Sequence, residues 1–322
     1  MERRQFLIQT AAAAVGSQLS RGEPLAEETP NPSAPFPAER AYYILGVPLR
    51  TGSLTPGSEN DAQAYRNAQF LSRLQAAGCR AFDDGDVAIP SYIPHHSIPP
   101  IRSWPGPRVA WDCVGERVMS HLRQPGHVPL LIGCDCSVVV GTSQALKNTS
   151  AEGIHVLYID GDFDDSPPDA KRSQSAASCA VWLLTHDSPF WAGPPLRPSE
   201  VTVVGWSNPS LSGQSRANSV SLSDVRRLGP KEAARQVLAA IPPSASVVLH
   251  FDIDAMNKRD MPVAYFPHDE GMTLSECGDL LAALLRDSRI RIIEVSEYAS
   301  LRDLDGHYVS ELIDMITAGL KS

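Results

Sequence analysis

The stretch Val156-Leu157-Tyr158-Ile159-Asp160-Gly161-Asp162-Phe163-Asp164-Asp165 sets an unbroken apolar run directly against carboxylates at i, i+2 and i+4. Apolar residues at successive positions read as a strand covered on both faces, as in a parallel sheet between helices. If the chain stays extended beyond the run, Asp160, Asp162 and Asp164 point to one side. A second stretch, His250-Phe251-Asp252-Ile253-Asp254, closes another apolar run with the same i, i+2 spacing. Carboxylates crowded at one sheet edge repel unless protons or cations intervene, so the pattern points to divalent metal rather than to a solvated acidic rim.

Working outward, short β-branched runs alternate with longer amphipathic ones. Strands are predicted at 42–47, 128–133, 154–160, 201–205, 246–254 and 290–295, and helices at 61–77, 107–123, 137–147, 175–185, 230–240 and 273–286. Pro230 suits a first helical turn, and Thr273 with Glu276 forms a capping box. The class is α/β: a three-layer α/β/α domain over residues 38–322 with a mainly parallel sheet. In such sheets ligands bind outside the carboxyl ends of the strands. Asp135, Asp160, Asp252 and Glu294 all fall at or near predicted strand ends. His250, inside an apolar run, reads as a hydrogen-bonded core residue, and Trp182 as helix core. His95, His96 and His268, in predicted loops, receive no role.

These motifs resemble those of the arginase and agmatinase (ureohydrolase) family, in family order from about residue 42 to near the C-terminus. Gly-Gly-Asp-His-Ser appears as Gly133-Cys134-Asp135-Cys136-Ser137, and Asp-Ala-His-x-Asp as Asp160-Gly161-Asp162-Phe163-Asp164. Ser-Phe-Asp-Val-Asp appears as His250-Phe251-Asp252-Ile253-Asp254, and Glu-Val-Asn-Pro as Glu294-Val295-Ser296-Glu297. Gly46-Val47-Pro48-Leu49 resembles the end of the first strand, and Glu270-Gly271-Met272-Thr273 the family's Gly-Gly-Leu-Thr. The resemblance implies an arginase-like fold, a homo-oligomer (trimers or hexamers), and two divalent ions, manganese in the family. These activate a water against a small guanidino or amidino substrate. It places the metal ligands on Cys136, Asp160, Asp162, Asp164, Asp252 and Asp254, with Asp252 expected to be shared by both ions. The catalytic roles fall on Asp164, which accepts the hydrogen bond of the attacking water, and on Glu294, which anchors the guanidinium. Cys179 aligns with the proton-shuttling histidine.

The departures carry chemistry of their own. Neither ligating imidazole survives, so five carboxylates and a thiolate carry −6 against the +4 of two divalent ions. A protonated or uncoordinated ligand, or a nearby cation, must absorb the difference. Carboxylates suit Mn²⁺, whereas the Cys136 thiolate draws the site toward Zn²⁺ or Fe²⁺. The loop that reads the amino-acid end of arginine is Gly205-Trp206-Ser207-Asn208-Pro209-Ser210 here, without its acidic contacts, so a substrate other than arginine is expected. A non-catalytic metal- or ligand-binding member of the fold is the alternative.

The first 37 residues read as an appendage. Arg3-Arg4-Gln5-Phe6-Leu7 and a mildly apolar stretch resemble a twin-arginine export signal, implying a periplasmic or otherwise exported protein. Pro24, Pro30, Pro32, Pro35 and Pro37 then suggest an extended tether. The 322 residues carry a net charge of −9 and no basic block, which argues against nucleic acid as a partner. With 43% hydrophobic and 20% charged residues a substantial core is expected. No apolar run approaches the roughly 20 residues of a membrane-spanning helix. Six scattered cysteines do not make a disulfide framework. Cys134 and Cys136 are too close in sequence for an easy mutual bridge.

Overall fold

The computed structural model describes residues 40–91, 93–190, 193–207 and 216–321. The twin-arginine stretch and the proline-rich segment lie outside these residues, as do Asn208, Pro209 and Ser210 of the loop named above. The described residues, all from 40 onward, fall in one compact unit.

Its frame is a single sheet of β1 (Ala41–Gly46), β2 (Arg80–Asp86), β3 (His127–Cys134), β4 (Ile154–Ile159), β5 (Val201–Val204), β6 (Asn218–Val220), β7 (Ser246–Asp252) and β8 (Ile290–Ser296). The order is β2-β1-β3-β8-β7-β4-β5-β6, and every neighbouring pair is parallel. The helices are α1 (Ala62–Asn67), α2 (Phe70–Ala76), α3 (Gly106–Leu122), α4 (Val138–Thr149), α5 (Ala180–Thr185), α6 (Leu222–Leu228), α7 (Pro230–Ala240), α8 (Leu274–Leu284) and α9 (His307–Leu320).

Period-two alternation of the strands divides the core between the two faces. Ile132, Leu157, Leu249 and Ile293 pack against α1, α2 and α6–α9. Leu131, Tyr158, Val248 and Ile292 pack against α3–α5. Both faces are therefore covered by helices, the expected three layers. The capping box forms as expected: the Glu276 amide donates to Thr273 Oγ1 at 3.1 Å and the Thr273 amide to Glu276 Oε2 at 2.8 Å. Gly133 is required where β3 bulges toward the start of α1. It has φ +75°, and a Cβ there would lie 2.6 Å from the Ala62 nitrogen. Among the described residues no helix is long and apolar enough to cross a membrane. All six cysteines are unpaired.

Candidate metal centre at the carboxyl edge of the sheet

Beyond Cys134, at the end of β3, the chain delivers Cys136. Beyond Ile159 of β4 it delivers Asp160, Asp162 and Asp164, and Asp252 ends β7 with Asp254 in the short 3-10 turn that follows. All six line one pocket of about 210 Å³, with Leu54, Ser175, Ala177, Ser178, Phe266 and Glu297. The route after β4 differs from the expected extended one. The Asp162 amide turns back onto Asp160 Oδ1 at 2.6 Å, and Asp164 takes a left-handed φ of +48°. The three carboxylates converge because the loop curls, not because they alternate along a strand.

The ligand atoms of Asp160, Asp252 and Asp254 lie within 4.8 Å of one another, and those of Cys136, Asp160 and His250 form a second such group. The Cys136 thiol donates to Asp252 Oδ2 at 2.6 Å, and the Asp254 amide to Asp252 Oδ1 at 2.8 Å. Asp160 is 1% exposed, yet its Oδ2 has no hydrogen-bond partner. A buried carboxylate oxygen with no donor, among oxygen and sulfur atoms at this spacing, fits a divalent cation. Burial is also the largest influence on the acidity of the cluster. It raises Asp160 well above the ordinary carboxylate range, helped by the charges of Asp254, Asp164 and Asp252. It likewise raises Asp252, with Asp254 and Glu297 adding to it, and the Cys136 thiol, beside the Asp252 charge. Asp164 is raised by burial against the opposing hydrogen bond from the Tyr158 hydroxyl, 2.6 Å from its Oδ2.

Two of the three expected catalytic residues are placed elsewhere. Glu294 does not line the pocket. β8 continues to Ser296, which leaves Glu294 interior to the strand, fully buried and in register with His250 of β7. Its Oε2 lies 2.7 Å from His250 Nδ1. The carboxylate that reaches the pocket from this strand end is Glu297, just past β8. Glu297 takes φ +59°, accepts from Ser53 Oγ at 2.9 Å and the Cys136 amide at 3.3 Å, and burial pushes it up to about 8. Cys179 is the second correction. It is 0% exposed, burial holds its thiol up at about 12, and its neighbour Ser178 faces the pocket instead. A short 3-10 turn, Ala177–Cys179, leads into α5 and turns the thiol into the core.

His268, given no role by the sequence, stands beside the cluster. Its Nε2 lies 3.4 Å from Asp254 Oδ2 and 3.6 Å from Asp162 Oδ2. Burial pushes its pKa down, but the neighbouring Asp254 and Asp162 carboxylates outweigh this and hold it above the usual imidazole value. An imidazole from a different loop thus stands against the carboxylate cluster, its basicity raised by the charges of Asp254 and Asp162.

Taken together, the sheet and its pocket make this an all-parallel α/β/α protein with carboxylates clustered at the carboxyl edge of its sheet. The family model for the arginase family matches residues 40–318, and the chain belongs to that family. It is 24% identical to the arginase of Neurospora crassa, with 92% of each chain covered. The arginase structure from Bacillus caldovelox superposes with a TM-score of 0.76 at 20% identity, over 88% of this chain and 99% of that one. A formiminoglutamase from Trypanosoma cruzi, solved with Mn²⁺, gives 0.68 at 16% identity over 90% and 95%.

Proposed function

We propose that the chain is a metal-dependent hydrolase of a C–N bond in a small linear amidine or guanidine other than arginine. The observation that carries this is the gathering of Cys136, Asp160, Asp162, Asp164, Asp252 and Asp254 around one pocket in a chain of the arginase family. A divalent pair held there supplies Lewis acidity and lowers the pKa of water. The remaining work falls to the protein. Asp164, fixed by the Tyr158 hydroxyl, presents a carboxylate to the proton of an attacking water. Glu297, at the pocket wall, presents its carboxyl to a planar amidinium, whose positive charge favours the ionised form against the effect of burial, and the ionised form makes a two-point match.

Two features support a substrate without an amino-acid end. Leu54 and Phe266 give the pocket apolar, part-exposed members, and no Lys or Arg occurs among its described lining residues. A substrate carboxylate would find no cationic partner there. One observation favours the non-catalytic alternative: Cys179 is buried, so the position aligned with the proton shuttle offers no group to the pocket.

The test is urea and ammonia release from guanidino, formimino and hydroxyguanidino compounds, with arginine as comparator, using protein of measured Mn²⁺ or Zn²⁺ content. Turnover of a compound lacking the amino-acid end, faster than arginine, is expected. Fastest turnover on arginine overturns the substrate assignment. Fully loaded protein inert toward the whole panel transfers the reading to a binding protein.

A further inference from the structure

We propose that the pocket, with the fully buried His250 behind it, is built for two unlike ions, Cys136, His250 and Asp160 forming a sulfur–nitrogen–oxygen site for Zn²⁺ beside a site of three carboxylates for Mn²⁺. The inference shares its pocket with the proposed hydrolase and concerns which residues hold which ion.

His250 is set up as a ligand. Glu294, its register neighbour on β8, lies 2.7 Å from Nδ1. A carboxylate there is placed to accept a proton from Nδ1, the tautomer that leaves the Nε2 lone pair for a metal. A carboxylate that fixes the tautomer of a histidine is the usual support behind a ligating imidazole. The Tyr158 ring, stacked at 4.4 Å and 10°, fixes the ring plane. Nε2 faces Ser296 Oγ at 3.1 Å, and the same hydroxyl is 3.3 Å from Cys136 Sγ. One rotatable hydroxyl therefore occupies the space between nitrogen and sulfur, and turning it aside leaves both free to converge. The donor atoms of Cys136, His250 and Asp160 already lie within 4.8 Å of one another, and the buried Asp160 Oδ2 has no partner. Thiolate with imidazole selects zinc over manganese, while Asp160, Asp252 and Asp254 offer oxygen alone.

This division also balances the charge of the ligand sets themselves. The thiolate of Cys136 with Asp160, Asp252 and Asp254 carries −4, which equals the charge of two divalent ions with opposite sign. On binding, the Cys136 proton leaves to solvent and the sulfur–metal bond forms. Asp162 and Asp164 then stand outside the ligand sets: Asp162 lies beside His268, and Asp164 is held by the Tyr158 hydroxyl.

Cobalt is the probe, because a Co²⁺–thiolate bond gives a near-ultraviolet charge-transfer band and a carboxylate site does not. Metal-free full-length protein is titrated with Co²⁺ and then with Mn²⁺. One equivalent of cobalt with the thiolate band, followed by one of manganese, is expected. Cys136→Ser should abolish the band, His250→Gln should lose it or shift it, and Glu294→Gln should weaken cobalt binding about 10- to 100-fold. Cobalt bound to the parent without the band overturns the proposal even if the His250 variant fails to fold. So does a band that persists in Cys136→Ser. Loss of amidine hydrolysis with the band intact counts against the hydrolase reading alone, and hydrolysis without the band counts against the zinc site alone.

Discussion

Gly161 shows how a single side chain can shape this site. The family motif carries alanine at this position, whereas here a Cβ would lie 2.6 Å from the Asp254 carbonyl oxygen and 2.7 Å from His268 Cδ2. The missing methyl is what lets His268 approach Asp162 and Asp254. Gly161→Ala should therefore destabilise the metal-free protein by about 1–3 kcal/mol, the usual cost of overpacking. His268→Ala in the same chain should recover part of that loss by removing one of the two clashes. Thermal unfolding of the parent, the single variants and the double variant measures both effects. A Gly161→Ala protein as stable as the parent would mean that the loop moves freely and that His268 is not held in place by packing.

Among the strands, β4 couples the core to pH through His155. This residue is 2% exposed, lies 2.9 Å from Thr202 Oγ1 on β5, and burial pulls its pKa down to about 4. The unfolded chain takes up this proton near the ordinary histidine value of about 6.5, whereas the folded chain resists it until about pH 4. The contribution is thus complete above the unfolded value and is lost as pH falls between the two, by about 3 kcal/mol. His155→Gln should flatten that limb of the stability curve relative to the parent, as read by urea unfolding at pH 4, 5.5 and 7. Parallel curves would place the acid sensitivity elsewhere. The central strands were legible because burial on both faces forces continuous apolar runs. The edges were not: β2 buries only Ala81 of its seven residues, and β6 has three. The single helix expected over 61–77 divides at Gln69, whose φ of 61° ends α1 before α2 begins. α9, absent from the predicted set, still carries the helical period in Val309, Leu312, Ile313 and Ile316.

For the whole molecule, the legible part of the site is the part that local sequence encodes. Cys136 and the carboxylates at the ends of β3, β4 and β7 follow from apolar runs and short motifs, and they do share a pocket. Glu297, His268 and the His250–Glu294 pair depend on where β8 stops, on how a distant loop folds back, and on the register of two strands. No spacing along the chain contains that information. Asp160 belongs to both groups of closely spaced ligand atoms, so the division proposed above would make it the shared ligand in the place that resemblance gives to Asp252. Because three strands and their loops contribute ligands, ion binding should stabilise the domain as a unit. At free ion 100 times Kd each ion adds about 2.7 kcal/mol, or roughly 5–10 °C in Tm for a domain of this size class. Zn²⁺ followed by Mn²⁺, added to protein stripped with chelator, should therefore raise Tm in two increments. Asp160→Asn should lose both, since each site loses a ligand, whereas Asp252→Asn should lose only the manganese increment. Differential scanning fluorimetry with metal analysis on the same samples separates the cases. If Asp160→Asn keeps either increment while Asp252→Asn loses both, the shared ligand is Asp252 and the division into a zinc and a manganese site fails with it.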